Sequence, residues 1–376
     1  MARSGTQLYY VVSPAGNANY GDELIAATWL RHIHRVAPDA EVVVDCLDPV
    51  RAGDRLGALH PKARCVNTLW QLCLRSGSSN PREVVERVCS AVDDPGLVPD
   101  LAQGIGELRR ADVVHIVGGG YLNSLWPQFM GVPAAVAAAV RHSGGRAAMT
   151  GQGLCPAVEG GAEQLRRCVA DFDVVDVRDM PSAALLGSAS FTHTGDDAML
   201  GVAEHLRAAP HGTPQLMICV QSQLSEVESE PLLGFLASVV KAWGVDEVGL
   251  LECLPGGDQG IVTLAERMLP VVRRYGAEEV LAEGLPVSAD QLWMSSRFHP
   301  HLVAAAGGAG GIALNIRPDY YGIKHQSLIE AGSGWSLLSE PMIPARPQAG
   351  GFGPERCAGL REAKLEVARS VYPPVC

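Results

Sequence analysis

The sequence predicts an α/β protein of two domains, each built on a mostly parallel sheet, with a cleft between them. Three observations predict it. Short β-branched runs alternate with longer segments rich in Ala, Leu and Arg, the pattern of βαβ units. The chain has 376 residues, more than one ordinary core accommodates. A stretch rich in Pro and Gly, Ala208-Ala209-Pro210-His211-Gly212-Thr213-Pro214, separates two such series.

The first series, residues 1–208, has expected strands at Leu8–Val12, Glu41–Asp45, Asp112–Val117, Arg146–Thr150, Phe172–Val177 and Ser190–Thr192. Helices are expected to start near Asp22, Val84, Pro127, Gly161 and Pro181. Residues 51–106 are dense in Gly, Pro and polar side chains and read as an irregular insertion with one or two helices. The second series, residues 215–343, offers strands at Gln215–Val220, Glu247–Leu251, Glu279–Leu281 and Gly311–Ile316. Its helices are expected at Pro231–Trp243, Gly260–Tyr275, Pro300–Ala306 and Ile323–Ala331. A last amphipathic segment within 354–376, Pro354–Val371, follows the loop Pro344–Gly353 and is expected to pack back on the first domain.

Composition excludes several classes. A net charge of -11 without a basic stretch argues against nucleic-acid or membrane-surface binding. The start, Met1-Ala2-Arg3-Ser4-Gly5-Thr6, has no leader signature and runs into a strand, and no apolar run approaches the roughly 20 residues of a bilayer span. The expected compartment is cytoplasmic. The ten Cys are scattered without a CxxC pair or zinc spacing, so they read as reduced thiols and no metal is expected. Only four of the 30 basic residues are Lys (Lys62, Lys241, Lys324 and Lys364), which gives weight to any Lys in a suggestive place.

The candidate chemistry sits where strands end. Ser295-Ser296-Arg297-Phe298-His299-Pro300-His301 puts a fixed cation beside a titratable imidazole at a strand-to-helix junction, which suits an anionic substrate that gains or loses a proton. The plain alternative is an Arg paired with a carboxylate and a His packed under the helix. After the first strand, Gly16-Asn17-Ala18-Asn19-Tyr20-Gly21-Asp22-Glu23 opens a helix. Asn17 suits a hydroxyl, and Asp22 either caps the helix or orients a hydroxyl. Gly118-Gly119-Gly120 and Gly151-Gln152-Gly153 end two more strands, either as tight turns or as places of close ligand approach. Arg178 in Val177-Arg178-Asp179-Met180-Pro181-Ser182 can grip a carboxylate or phosphate, with Asp179 and Ser182 as capping residues. Asp196 and Asp197 read as a turn and cap, and Cys155 as a packed thiol. Lys324 opens a late helix and either reaches an anion or is solvated.

The ordered series GN-x-x-YGDE, GGG-x-L, GQG-x-x-P, VRD-x-x-S, GDD, S-x-RFH and GIK, from about Gly16 to Glu330, resembles the polysaccharide pyruvyl transferase family. The resemblance implies a glycosyltransferase-B-like pair of Rossmann-type domains. It implies transfer of pyruvate from phosphoenolpyruvate, as co-substrate without a further cofactor, onto two hydroxyls of a sugar or glycoconjugate to form a ketal. Arg178, Arg297 and Lys324 then bind the donor, and His299 acts as general acid or stabilises the leaving phosphate. Asp22 activates a hydroxyl, and Asn17, Gly119, Gly120 and Gln152 line the acceptor side. Position 155 departs from the family pattern, where a small residue often precedes the proline, and residues 51–106 and the tail after Pro344 are unexplained by it. Three other readings stay open: a nucleotide-sugar glycosyltransferase using Glu330 on the ribose, a non-catalytic glycan-binding relative, and enolpyruvyl transfer without ring closure.

Overall fold

In a computed structural model that describes residues 6–187, 190–348 and 350–373, both series fold as wound parallel sheets. Residues 1–5, read above as leading into the first strand, lie outside the described residues. The described residues divide into two compact units. One runs to Asn17, resumes over Ile25–Leu200 and closes from Glu362 onward; the other comprises Ala18–Leu24 and Gly201–Arg361.

The first unit carries β1 (Leu8–Val12), most of α1 (Tyr20–Val36), β2 (Glu41–Asp45), α2 (Pro49–Leu56), β3 (Ala63–Val66), α3 (Leu69–Arg75), α4 (Pro81–Asp93), α5 (Ala102–Leu108), β4 (Val113–Ile116), α6 (Gly131–Ser143), β5 (Arg146–Gln152), α7 (Gly161–Val169), β6 (Val174–Val177), α8 (Met180–Leu186) and β7 (Thr192–His193). Its seven strands run in the order β3-β2-β1-β4-β5-β6-β7, all parallel. The order reverses between β1 and β4. All five residues of β1 are buried, as a strand covered on both faces requires. The Ala/Val-rich α6 is buried almost throughout and ends at Gly144 in the left-handed region, φ 63°.

The insertion is more regular than its composition suggests. Residues 51–106 hold β3 and helices α3 and α4 along with most of α2 and α5. Two of these helices have sequence signals that the polar composition hides. Asp48 accepts from the Val50 and Arg51 amides ahead of Pro49, and Asn80 accepts from the Arg82 amide ahead of Pro81. A side-chain cap followed by Pro at the first helical position is a strong start signal.

The second unit carries β8 (Leu206–Ala208), β9 (Leu216–Cys219), α9 (Ser229–Ala242), β10 (Val248–Leu251), α10 (Gln259–Met268), β11 (Val271–Tyr275), α11 (Ala277–Glu283), β12 (Leu285–Val287), β13 (Leu292–Ser295), α12 (Phe298–Ala306), β14 (Gly310–Leu314), α13 (Ile323–Glu330) and β15 (Ser336–Leu338). Six strands form a parallel sheet in the order β11-β10-β9-β13-β14-β15, and β12 pairs with β8 apart from it. The stretch 208–214 therefore falls inside this unit, after β8. Two expectations are corrected. Glu279–Leu281 lies in α11, not in a strand. The helix expected over Gly260–Tyr275 ends at Met268, and Val271–Tyr275 is β11. Pro270 explains the second: it forces Leu269 into extended backbone, φ -118° and ψ 154°, and β-branched Val271 and Val272 follow.

The last helix, α14 (Pro354–Val371), contributes residues to both units. Within the first, Lys364 is fully buried. Its Nζ donates to Asp176 Oδ2 at 2.6 Å and to the Gly195 carbonyl at 2.7 Å, and lies 3.1 Å from Asp197 Oδ1. Burial alone would lower this ammonium; the two carboxylates outweigh it and hold it above its ordinary value. Among the described residues no helix is long and apolar enough to cross a membrane.

Lys364→Ala leaves two fully buried carboxylates without their cation. Breaking a buried pair from one side costs about 3–5 kcal/mol. The urea midpoint of that variant should fall accordingly, and an unchanged midpoint would show that α14 contributes nothing to the fold.

Candidate active site

The second unit gathers its polar side chains at the carboxyl ends of β9, β10, β13 and β14. Arg297 follows β13 as the N-cap position of α12, in extended backbone. Ser295 braces the turn: its Oγ accepts from the Arg297 amide at 3.1 Å and donates to the Arg297 carbonyl at 2.7 Å. The guanidinium is buried, and its Nη2 donates to Asp258 Oδ1 at 2.6 Å. Burial alone would lower the Arg297 pKa; Asp258 opposes it and holds the group above its ordinary value. The Asp258 carboxyl is raised by burial, with Arg297 pulling the other way. Asp258 itself is held just ahead of α10, where its Oδ2 accepts from the Leu254 amide at 3.1 Å.

His299 lies in the first turn of α12, half-buried and edge-on to Phe298. Its ring packs on the start of α1. A Cβ added at Gly21 would stand 1.8 Å from His299 Nδ1, so only a glycine admits the imidazole there. The helix starts at Tyr20, two residues earlier than expected, and Asn19 caps it by accepting from the Gly21 amide at 3.1 Å. Asp22 is therefore not the cap. It sits half-buried in the first helical turn, and its charge reaches the Tyr321 hydroxyl. Asp22, grouped above with the first domain, belongs with His299 to the second unit.

Lys324 is buried, not solvated. Its ammonium lies 3.4 Å from the Tyr320 ring centroid and 5.3 Å from that of Tyr321, a cation on aromatic faces. Arg297 lowers the Tyr321 pKa and Asp258 raises it, but burial is the larger effect and keeps the phenol protonated. Gln221, after β9, and Asp258 complete the cluster; reading the sequence alone passed over both, and Tyr321 too. Their signal was positional, since each follows closely on a strand of the sheet.

Below the cluster, His301 on α12 meets His325 on α13, Nδ1 to Nδ1 at 3.0 Å. His301 also bonds Ser333 Oγ at 2.9 Å and stacks on Trp335. Burial pushes the His325 pKa down to about 4 and holds that of His301 well below its ordinary value. The pair is neutral and joins the helix that carries His299 to the one that carries Lys324.

Arg178, Asn17, Gly119, Gly120 and Gln152 belong to the first unit. Arg178 is buried between Asp179, 3.6 Å away, and Asp196, 3.4 Å away, and its Nη2 occupies the space where Gly153 lacks a Cβ. Asp179 caps α8 through the Ser182 amide, and the Ala198 amide donates to Asp196. Side chains of the same unit fill the space beside several of the glycines. Gly118 and Gly151 admit the side chain of Asp197, and Gly119 the ring of Tyr121. Gln152, expected on the acceptor side, is fully buried and donates to the Val117 carbonyl, where it braces the strand ends. Asn17 is exposed, and Gly120 is partly so. Burial and the nearby Asp179 push the Cys155 thiol up to about 11, which fits a packed thiol and not a nucleophile.

This arrangement defines an α/β protein of glycosyltransferase-B type. Its fold is similar to the S. aureus MnaA–UDP co-structure, at TM-score 0.55 and 12% identity over 98% of this chain and 90% of that one. It is also similar to UDP-GlcNAc 2-epimerase from Neisseria meningitidis bound to UDP-GlcNAc, at TM-score 0.53 and 12% identity over 98% and 92%. A third is Arabidopsis thaliana UGT89C1 complexed with UDP-L-rhamnose, at TM-score 0.51 and 12% identity over 98% and 95%. Among curated proteins none matches this chain. The family described as polysaccharide pyruvyl transferase matches residues 19–317, and the chain belongs to that family of transferases. The match takes in Asp22, Arg178, Arg297 and His299, while Asn17, Tyr321 and Lys324 lie outside it.

Gly21→Ala drives a methyl group into the His299 ring. It should cut turnover at least as severely as a small displacement of a catalytic group, about 100-fold, with the fold retained by circular dichroism. The His301–His325 pair gives a pH signature. A group whose pKa is lowered on folding supports stability fully above its unfolded value of about 6.5 and loses it as pH falls to about 4. The gap in urea midpoint between wild type and His325→Gln should be widest above pH 6.5 and narrow toward pH 4. A gap independent of pH would remove the pair from the acid response.

Proposed function

We propose that this transferase moves pyruvate from phosphoenolpyruvate onto two hydroxyls of a sugar or glycoconjugate, forming a cyclic ketal and releasing phosphate. The observation that carries the reading is the seating of His299 against Gly21, beside Arg297 and Asp22, in a chain of the pyruvyl transferase family. A donor with a carboxylate and a phosphate calls for fixed cations. Arg297 and Lys324 supply them in the second unit.

The chemistry balances as follows. A proton adds to the methylene carbon of the donor, and its π electrons form the new C–H bond. The adjacent carbon becomes an oxocarbenium-like centre. One acceptor hydroxyl attacks that centre and loses its proton. The bond to the phosphate oxygen breaks, phosphate leaves, and a second hydroxyl closes the ring with loss of its own proton. His299 is the proton donor to carbon. Asp22 receives the hydroxyl proton. Tyr321, kept neutral, donates a hydrogen bond and takes no charge.

The test is phosphate release from phosphoenolpyruvate in the presence of a panel of sugar acceptors. His299→Ala should lose about 100- to 10,000-fold in kcat, the range of general acid–base catalysis, while still binding the donor. Near wild-type turnover in that variant would remove His299 from the mechanism. Binding of nucleotide sugars with no binding of phosphoenolpyruvate would replace the reading with glycosyl transfer.

A further inference from the structure

Several buried polar groups at the candidate site play no part in the scheme above. Gln221 stands two residues past β9 and is 1% exposed. Its backbone amide donates to Ser296 Oγ at 3.1 Å, which ties it to the turn that carries Arg297. Its side chain reaches toward the Tyr321 hydroxyl. Yet neither Oε1 nor Nε2 completes a hydrogen bond with good geometry among the described residues, and neither does Nε of Arg297. An unsatisfied buried amide costs about 1–3 kcal/mol, so an amide retained beside the turn that carries Arg297 calls for a functional explanation.

The topology points to the same spot. β9 lies between β10 and β13: the chain passes from β9 to β10 and β11 on one side and returns to β13, β14 and β15 on the other. In wound parallel sheets, ligands bind outside the carboxyl ends of the strands where the order reverses. Gln221 and Arg297 follow the two strands that flank that reversal.

We propose that Gln221 Nε2 and Arg297 Nε together form a two-donor subsite for the carboxylate of the donor, with the Tyr321 hydroxyl orienting the amide. The proposal rests on the phosphoenolpyruvate reading. Its logic is one of donors and acceptors. An ionised carboxylate accepts only, so the amide must present its nitrogen, and Oε1 then needs a donor. As the side chain stands, Gln221 lowers the Tyr321 pKa, the sense of an amide N–H facing the phenol oxygen; with Nε2 turned to a carboxylate, the hydroxyl, kept protonated by burial, donates to Oε1 instead. The charge balance selects carboxylate over phosphate. Asp258 already neutralises Arg297, and Asp22 lies within electrostatic reach of Tyr321. That setting accepts a planar monoanion through two N–H donors far better than a dianion. Tyr321 is a positioning residue in this scheme, and Gln221 a binding residue.

The experiment is calorimetric titration of phosphoenolpyruvate, pyruvate and inorganic phosphate into wild type, Gln221→Leu, Gln221→Glu and Tyr321→Phe. Losing one hydrogen bond to a charged group should weaken phosphoenolpyruvate and pyruvate binding about 10- to 100-fold in Gln221→Leu. Gln221→Glu should bind more weakly still, by like-charge repulsion. Tyr321→Phe should raise KM for the donor more than it lowers kcat. Inorganic phosphate affinity should stay within about two-fold of wild type, and the melting temperature of ligand-free Gln221→Leu should not fall, because an unsatisfied amide is removed. If Gln221→Leu fails to fold, Gln221→Met carries the same comparison. Undiminished phosphoenolpyruvate binding in the Gln221 variants overturns the subsite and leaves the donor reading standing. Equal losses for phosphoenolpyruvate and inorganic phosphate overturn the carboxylate assignment. Failure of wild type to bind phosphoenolpyruvate overturns both.

Discussion

The first unit depends on one carboxylate taken out of water. Asp197 is fully buried, and its Oδ2 accepts from Trp29 Nε1 at 2.7 Å, from the Gly118 amide at 2.8 Å and from Thr150 Oγ1 at 2.6 Å. Lys364 supplies the compensating charge. A buried carboxylate is tolerable only with this degree of pairing. The same requirement fixes α1, the ends of β4 and β5, and α14 around a single point. Asp176 repeats the logic one strand over, accepting from Thr192, Thr194, the Gly151 amide and the same lysine. These contacts hold the strand ends that carry the Gly-rich motifs and Arg178.

The second unit solves a different problem, namely how to keep cations positioned without solvating them. Arg297 is held by Asp258, and Lys324 by the face of Tyr320. Neither side chain spends rotamer freedom when an anion arrives, because both are already fixed by packing. Asp258 also reduces the net field, so recognition here depends on directed N–H donors more than on bulk positive charge. The overall charge of -11 sets the same condition at the scale of the chain. The proposed anionic donor would be met by specific local donors, since a net negative chain does not draw it in through the long-range field.

Much of the fold was legible because parallel strands buried on both faces write themselves as apolar runs. β1, β2, β9, β10 and β14 fall within a residue or two of the expected limits. The failures have local causes. Glu279–Leu281 looked strand-like by its Val and Leu, but four residues of helix-forming Ala and Glu surround them in α11. β11 was absorbed into a helix because Arg273 and Arg274 extend an apparent helical pattern across Pro270. The site was half legible. Arg297, His299 and Asp22 are found by motif, whereas Gln221 and Asp258 sit in unremarkable sequence, and their hydrogen-bond partners Ser296 and Arg297 lie 75 and 39 residues further along the chain. Such separations are what a parallel sheet brings together and what local reading does not see.

Glycine tells the same story in both units. A glycine at a strand end invites the inference that a ligand approaches the backbone. Here the close approach is made by side chains: Asp197 against Gly118 and Gly151, Arg178 against Gly153, and His299 against Gly21. In each case the missing Cβ admits a charged or titratable group, and the absent methyl fixes where that group stands. A substitution at any of these glycines therefore acts on a neighbour's functional atoms, and at Gly151, φ 52°, on the glycine's own conformation as well. Gly118, Gly153 and Gly21 have no positive φ, so the constraint on them is steric alone. The ligand contacts of this protein are then to be sought one layer further out, on the side chains that the glycines let in.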